Sequence, residues 1–229
     1  MAPMIRAVAV CFVALCGLRA TGTSGAAATT EAAGDALYLL LNLARNGKLP
    51  VRIETLKKSE SLVSTVTSAL PSLVGDDQCA NAGSITVQTA EGFFVSYTGQ
   101  SPNYADLIQT ALTAGLQKLA AYPSDKWGSG SWSTDKEVGL LGYLLWHDST
   151  EVGCVASKCA AGTNVTLCRF KPTAASGQFP FSEEYYNGLK ARTTSLADLT
   201  ADDLDTSSGV TVPSVLFGGL VAMLALASV

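Results

Sequence analysis

Three cysteines, Cys154, Cys159 and Cys168, fall within the stretch "EVGCVASKCAAGTNVTLCRF" at residues 151–170. Cysteines this close together ligate a metal, exchange electrons or form disulfides. The spacings are C-x4-C and C-x8-C, whereas a structural zinc site draws on closer pairs or on a histidine pair. The chain has one histidine, His147, so a Cys/His zinc site has almost nothing to draw on. A redox pair of the C-x-x-C type is absent. Disulfides are the expected use, provided the compartment is oxidising.

The other group that could do chemistry is "HDS", His147 to Ser149. Three adjacent residues cannot turn their side chains towards one another in the geometry of a Ser-His-Asp relay, and there is no nucleophile elbow. His147 is expected as a surface histidine at a helix C-terminus, favourably placed against the helix dipole. No catalytic residue, cofactor or metal ligand is assigned, and the chain is expected not to be an enzyme.

Both ends of the chain bear on compartment. "MAPMIR", the apolar run "AVAVCFVALCGL" and the small residues that follow have the three parts of a secretory leader. The leader is expected over 1–22, with cleavage after residues 22 to 26, and removes Cys11 and Cys16. Four cysteines then remain: Cys79, Cys154, Cys159 and Cys168. At the other end, "VPSVLFGGLVAMLALASV" is too short for an ordinary bilayer span of about 20 residues. No basic cluster follows it. With small residues at "TSSG" before it, 209–229 reads as a glycosylphosphatidylinositol (GPI) attachment signal. The attachment residue is expected at Ser207, with Asp205 and Ser208 as alternatives.

The segment between is one domain's worth of chain, 27–192, followed by an acidic stalk at 193–208. Losing Arg6 and Arg19 with the leader leaves 13 basic against 19 acidic residues, a charge near −6. That balance excludes nucleic acid as a partner and excludes charge-driven binding to acidic lipid.

The elements that must position these residues are read from periodicity. Helices are expected over 30–46, closed by Gly47, and over 59–70, stopped by Pro71. "SITVQT" and "GFFVSYT" read as strands, and "NYADLIQTALTAGLQKLAAY" as a helix ending at Pro123. The loop "SDKWGSGSWS" at 124–133 carries Trp127 and Trp132, aromatic anchors and candidates for a binding rim. Thr134 and Glu137 form a capping box for the helix "VGLLGYLLW". Strands at 152–157 and 165–170 follow, with Val165, Leu167 and Arg169 facing one way and Thr166, Cys168 and Phe170 the other. Asn164-Val165-Thr166 is a glycosylation sequon, expected to be accessible near the hairpin turn. The architecture expected is α/β, a sheet sandwiched between helices.

"W-x5-VGC-x4-C-x8-C-x-F-x-P", Trp146 to Pro172, resembles the signature of the CAP superfamily (cysteine-rich secretory proteins, antigen 5 and pathogenesis-related proteins). Gly139 and Trp146 match the helix before it. In "LNLAR", Asn42 and Arg45 match the family's H-N-x-x-R. "WHDSTEVGC", "FSEEYYNGLKARTTSLADLTADDL" and the two processing signals are similar to the GPI-anchored surface antigens of Eimeria coccidia. The resemblance implies a CAP-like α-β-α sandwich in a single disulfide-stapled domain. The family's metal-binding histidines align with Leu41 and Leu140, which cannot ligate. Glu91, near one family glutamate, is expected as a solvated strand-end residue. Cys154 and Cys159 are an odd number of residues apart on a strand and should face opposite ways, so they seek different partners. The family spacing then implies Cys154–Cys168 and Cys79–Cys159. The expected function is contact at a parasite surface, with host-cell surface or host immune components as partners and the membrane reached through the lipid. The alternative is a non-enzymatic lipid or small-ligand binding protein of CAP type.

Overall fold

The structure is a computed structural model that describes residues 28–160 and 162–205. The order is β1 (Thr29–Ala32), α1 (Asp35–Asn46), β2 (Lys57–Lys58), α2 (Glu60–Val74), α3 (Val87–Ala90), β3 (Phe93–Tyr97) and α4 (Tyr104–Lys118). Then come α5 (Ser131–Thr134), α6 (Lys136–Leu144), β4 (Glu151–Lys158), β5 (Asn164–Lys171), α7 (Glu183–Ala191) and α8 (Asp202–Asp205).

The sheet runs β1-β4-β5-β3, all antiparallel, with β2 pairing in parallel with the start of β4. Paired residues share a face, so Cys154, opposite Cys168, points away from the face of Gly153. On the Gly153 face α2 lies so close that a Cβ there would collide with backbone at Leu62 and Val63. On the Cys154 face the Tyr104 hydroxyl of α4 meets Thr166 Oγ1 at 3.1 Å, and α1 and α6 pack against α4. The α/β sandwich expected from the sequence is the observed fold.

Several local expectations are corrected. Residues 29–32 form a strand on the edge of β4 instead of the first turn of α1; β-branched Thr29 and Thr30 favour it. Gly47 has φ −62°, and it is Lys48 that is left-handed, at φ 53°. Glycine is needed at 47 for space: a Cβ would sit 2.7 Å from both Leu43 O and Leu199 Cδ1. Helix α2 runs through Pro71 to Val74. The carbonyl that Pro71 leaves without a donor belongs to Thr67, on the exposed face where water reaches it, and the extra turn buries Val74. "SITVQT" is not a strand. Thr86 and Thr89 exchange side-chain and backbone hydrogen bonds in a capping box that starts α3, and this local capture overrides strand propensity. The α4 helix ends at Lys118, short of Pro123. The cap of α6 is Asp135, which accepts from Glu137 N and Val138 N at 3.0 and 3.1 Å. Thr134 instead donates to Gly130 O and closes α5.

The acidic stalk is also corrected over its described part, 193–205. Leu196 and Leu199 are buried, and Leu196 N donates to Gln109 Oε1 of α4. Arg192 donates to the carbonyls of Leu43, Ala44 and Gly47 at the end of α1, where the helix dipole favours a cation. Lys48 pairs with Asp203 at 3.5 Å. The segment is a strap. Apolar residues three apart at Leu196 and Leu199 dock it, and the surrounding acidic composition concealed them. Leu196→Asp is expected to detach it, with a loss of about 2–3 kcal/mol from the unburied leucine. Hydrogen exchange over 196–204 checks this, since native protection there would contradict the strap.

Candidate binding cleft

The C-terminal half of α1 is the frame on which a cleft is built. Arg45 is fully buried. Its guanidinium donates to the carbonyls of Leu144 at 2.6 Å, Glu54 at 2.8 Å, Trp146 at 3.0 Å and Ser149 at 3.2 Å. Burial lowers its pKa to about 10, so the group remains cationic at neutral pH with carbonyl dipoles as its counter-charge. Asn42 exchanges two hydrogen bonds with the Leu56 backbone, and Asn46 Oδ1 accepts from Ile53 N. Residues 53–56 are thereby held against α1. His147 N donates to Pro180 O, and Glu54 N to His147 O, so three separate segments are tied side by side. Tyr185 OH donates to Arg45 O at 2.6 Å, and complete burial raises that phenol's pKa.

These segments enclose a cleft of about 890 Å³, open to solvent, lined from 51–55, 147–148 and 177–182 and by Tyr122 and Lys126. Its apolar wall is aromatic. Tyr122 and Phe179 have ring centroids 5.7 Å apart, and Tyr122 OH donates to Phe181 O at 2.7 Å. Burial raises the Tyr122 pKa, which keeps this donor protonated. Its polar wall carries both signs of charge. Lys126 Nζ lies 5.7 Å from the Phe179 ring centre, and His147 Nδ1 is 2.8 Å from Asp148 Oδ1. Arg52, also in the lining, donates to the strap carbonyls of Asp203 and Leu204.

Trp127 and Trp132 are anchors behind the cleft and not a binding rim. Trp132 is 2% exposed, and its Nε1 donates to Asp125 O. Trp127 packs edge-on to Tyr143 with centroids 4.8 Å apart, in space that a Cβ at Gly142 would fill. Two tryptophans are too large an apolar surface to leave in a Gly/Ser loop when the α6 face is available. His147 is half-exposed, beyond the end of α6, stacked on Trp146. Ser149 is buried and its hydroxyl donates to Pro172 O at 2.8 Å, away from His147. Leu41 and Leu140 are buried in the apolar core. Glu91 is 67% exposed and pairs with Arg169 at 3.7 Å. Among the described residues, no group of three or more His, Cys, Asp or Glu is placed to hold a metal ion.

Disulfides join Cys154 to Cys168 and Cys79 to Cys159, with Cα–Cα distances of 4.1 and 5.7 Å. The first closes the β4–β5 hairpin and the second ties its turn to the segment after α2. The accessibility expected of Asn164 is corrected. It is 4% exposed; its Oδ1 accepts from Cys159 N and its Nδ2 donates to Gly99 O at 2.7 Å. The sequon's acceptor nitrogen is thus spent inside the fold. The folded protein is expected to carry no glycan on Asn164, and intact-mass measurement checks this. Asn164→Ala should cost about 1–2 kcal/mol, because the buried Cys159 N loses its acceptor, while the carbonyl of exposed Gly99 can turn to water. Asp205 is the last described residue, at the end of α8, while Ser207, Ser208, the leader and the 209–229 signal lie outside the described residues.

Sequence reasoning missed Glu54, Tyr122 and Phe179. Glu54 and Phe179 lie on connecting segments without periodicity, Tyr122 is the last residue of a stretch whose sequence reads as helix but which leaves α4 at Lys118, and only "FPF" at 179–181, two aromatics around a proline, marks the place.

Known structures define the class of fold. The chain has the fold of the Eimeria tenella surface antigen SAG19: TM-score 0.63 and 21% identity, over 73% of this chain and 100% of that one. The coccidian surface-antigen resemblance read from the sequence is thus matched in fold. The hookworm platelet inhibitor is similar at a TM-score of 0.46 and 13% identity, over 67% of this chain and 79% of that one. BmVAL-1 is similar at 0.40 and 14%, over 64% and 78%. No family model and no curated protein matches the chain.

Proposed function

We propose that this protein is a GPI-anchored cell-surface antigen that acts by contact, attaching to host cells or engaging host immune components, and that it is not an enzyme. The observation that carries the reading is an open cleft, its segments tied by backbone hydrogen bonds, whose polar groups are not arranged as a nucleophile and base. His147 is paired with Asp148, while the Ser149 hydroxyl is turned to Pro172 O. The fold shared with SAG19 supports display at a cell surface. No described helix is long and apolar enough to cross a membrane, and the anchor is assigned to the C-terminal signal with attachment at Ser207.

Phosphatidylinositol-specific phospholipase C should release the protein from intact cells, with a C-terminal peptide ending near Ser207. A mature protein that retains residues 215–229 would overturn the anchor.

A further inference from the structure

We propose that the cleft binds a neutral saccharide, the terminal sugar ring of a glycan. This deepens the contact reading of the same site and rests on it. The first ground is the charge of the lining. Arg52 and Lys126 are opposed by Glu54 and Asp148 around one open space. A phosphate or sulfate drawn to Lys126 would share the space with the Glu54 carboxylate and with Asp148, which is already paired with His147, and a basic peptide drawn to Glu54 would share it with Lys126 and with Arg52, which is held on the strap. A hydrocarbon chain would strip water from all four without replacing it. A hydroxyl group uses both signs, since it donates to a carboxylate and accepts from an ammonium.

The second ground is unspent capacity beside an aromatic wall. Among the described residues no ion pair takes up the Glu54 carboxylate. Tyr122 and Phe179, tilted by 36° to each other, offer apolar surface to the C–H face of a pyranose. Lys126 covers Phe179 from the end of a long flexible stem, so a sugar ring can take its place while keeping the ammonium within reach of a hydroxyl. The backbone beneath is fixed by Arg45 and Asn42, so the site is formed before the ligand arrives.

The test uses the disulfide-intact protein on an array of neutral, sialylated and sulfated glycans. Neutral methyl glycosides are then titrated by saturation-transfer NMR. Binding of a neutral sugar is expected with a millimolar or tighter dissociation constant, weakened at least tenfold in Glu54→Gln and in Phe179→Ala. Glu54→Gln keeps the backbone carbonyl that Arg45 holds and removes an exposed charge whose field also favours the Arg45 cation, so its urea midpoint is measured beside its binding, and it stays informative if Phe179→Ala fails to fold; Lys190→Ala, outside the cleft, should bind as the parent does. No binding at millimolar sugar, a preference for acidic glycans, or affinity untouched by Glu54→Gln would each overturn the proposal. Should cells still bind the protein while neutral glycans do not, the saccharide assignment falls and the contact reading stands.

Discussion

Replacing Cys79 and Cys159 together by alanine is expected to lower the unfolding free energy by about 4.5 kcal/mol. The bridge spans 80 residues, and in the chain-entropy account the cost of closing so long a loop is removed from the unfolded chain. Two of the five strands, β3 and β4, lie inside that loop, as do α3, α4, α5 and α6. The Cys154–Cys168 pair, 14 residues apart, should contribute about 3 kcal/mol by the same reasoning. Domains of this size have a net stability of about 5–15 kcal/mol, so reducing both bridges should leave the fold marginal. Urea titration of each double-alanine variant measures the loss. A long-loop variant with an unchanged midpoint would contradict the account.

Arg45→Met should cost about 4 kcal/mol, the second largest effect. The methionine fills much of the volume but leaves three carbonyls, those of Glu54, Leu144 and Ser149, without the guanidinium donor, while Trp146 O keeps its bond from Ser149 N. Each buried acceptor left unsatisfied costs about 1–3 kcal/mol, less where water can enter. Arg45→Lys should recover only part of this, because one ammonium cannot replicate a planar fork spread over four acceptors. The loss should be local as well as global. Amide exchange at residues 53–56 should rise before the rest of the protein unfolds, because the Arg45 side chain holds Glu54 O directly. Uniform exchange across the molecule would show that Arg45 does not frame the cleft.

What could be read from the sequence follows from how local each signal is. The β4–β5 hairpin was legible because alternation over 164–171 and cysteine spacing are both contained in one stretch. The core helices were legible because Leu37, Leu41, Val63, Val66 and Leu70 repeat at helical intervals. "SITVQT" misled because two threonines prefer to cap a turn, a choice that composition does not display. Asn164 misled because a three-residue sequon carries no information about Cys159 N and Gly99 O, its partners across the hairpin turn and from the loop after β3. Arg45 was visible as a motif match, yet its role depends on carbonyls about a hundred residues away. The cleft draws on four connecting segments joined by backbone hydrogen bonds, and no periodic pattern marks such a site. The strap was hidden for a similar reason: two leucines suffice to dock it, and the acidic residues around them dominate its composition.

Whether the folded domain acts by contact is decided by binding of the purified, disulfide-intact domain (residues 27–205) to host epithelial cells. Saturable binding is expected, and it should be lost when Cys79–Cys159 and Cys154–Cys168 are reduced and alkylated. Binding no greater than that of the denatured protein would contradict the contact reading.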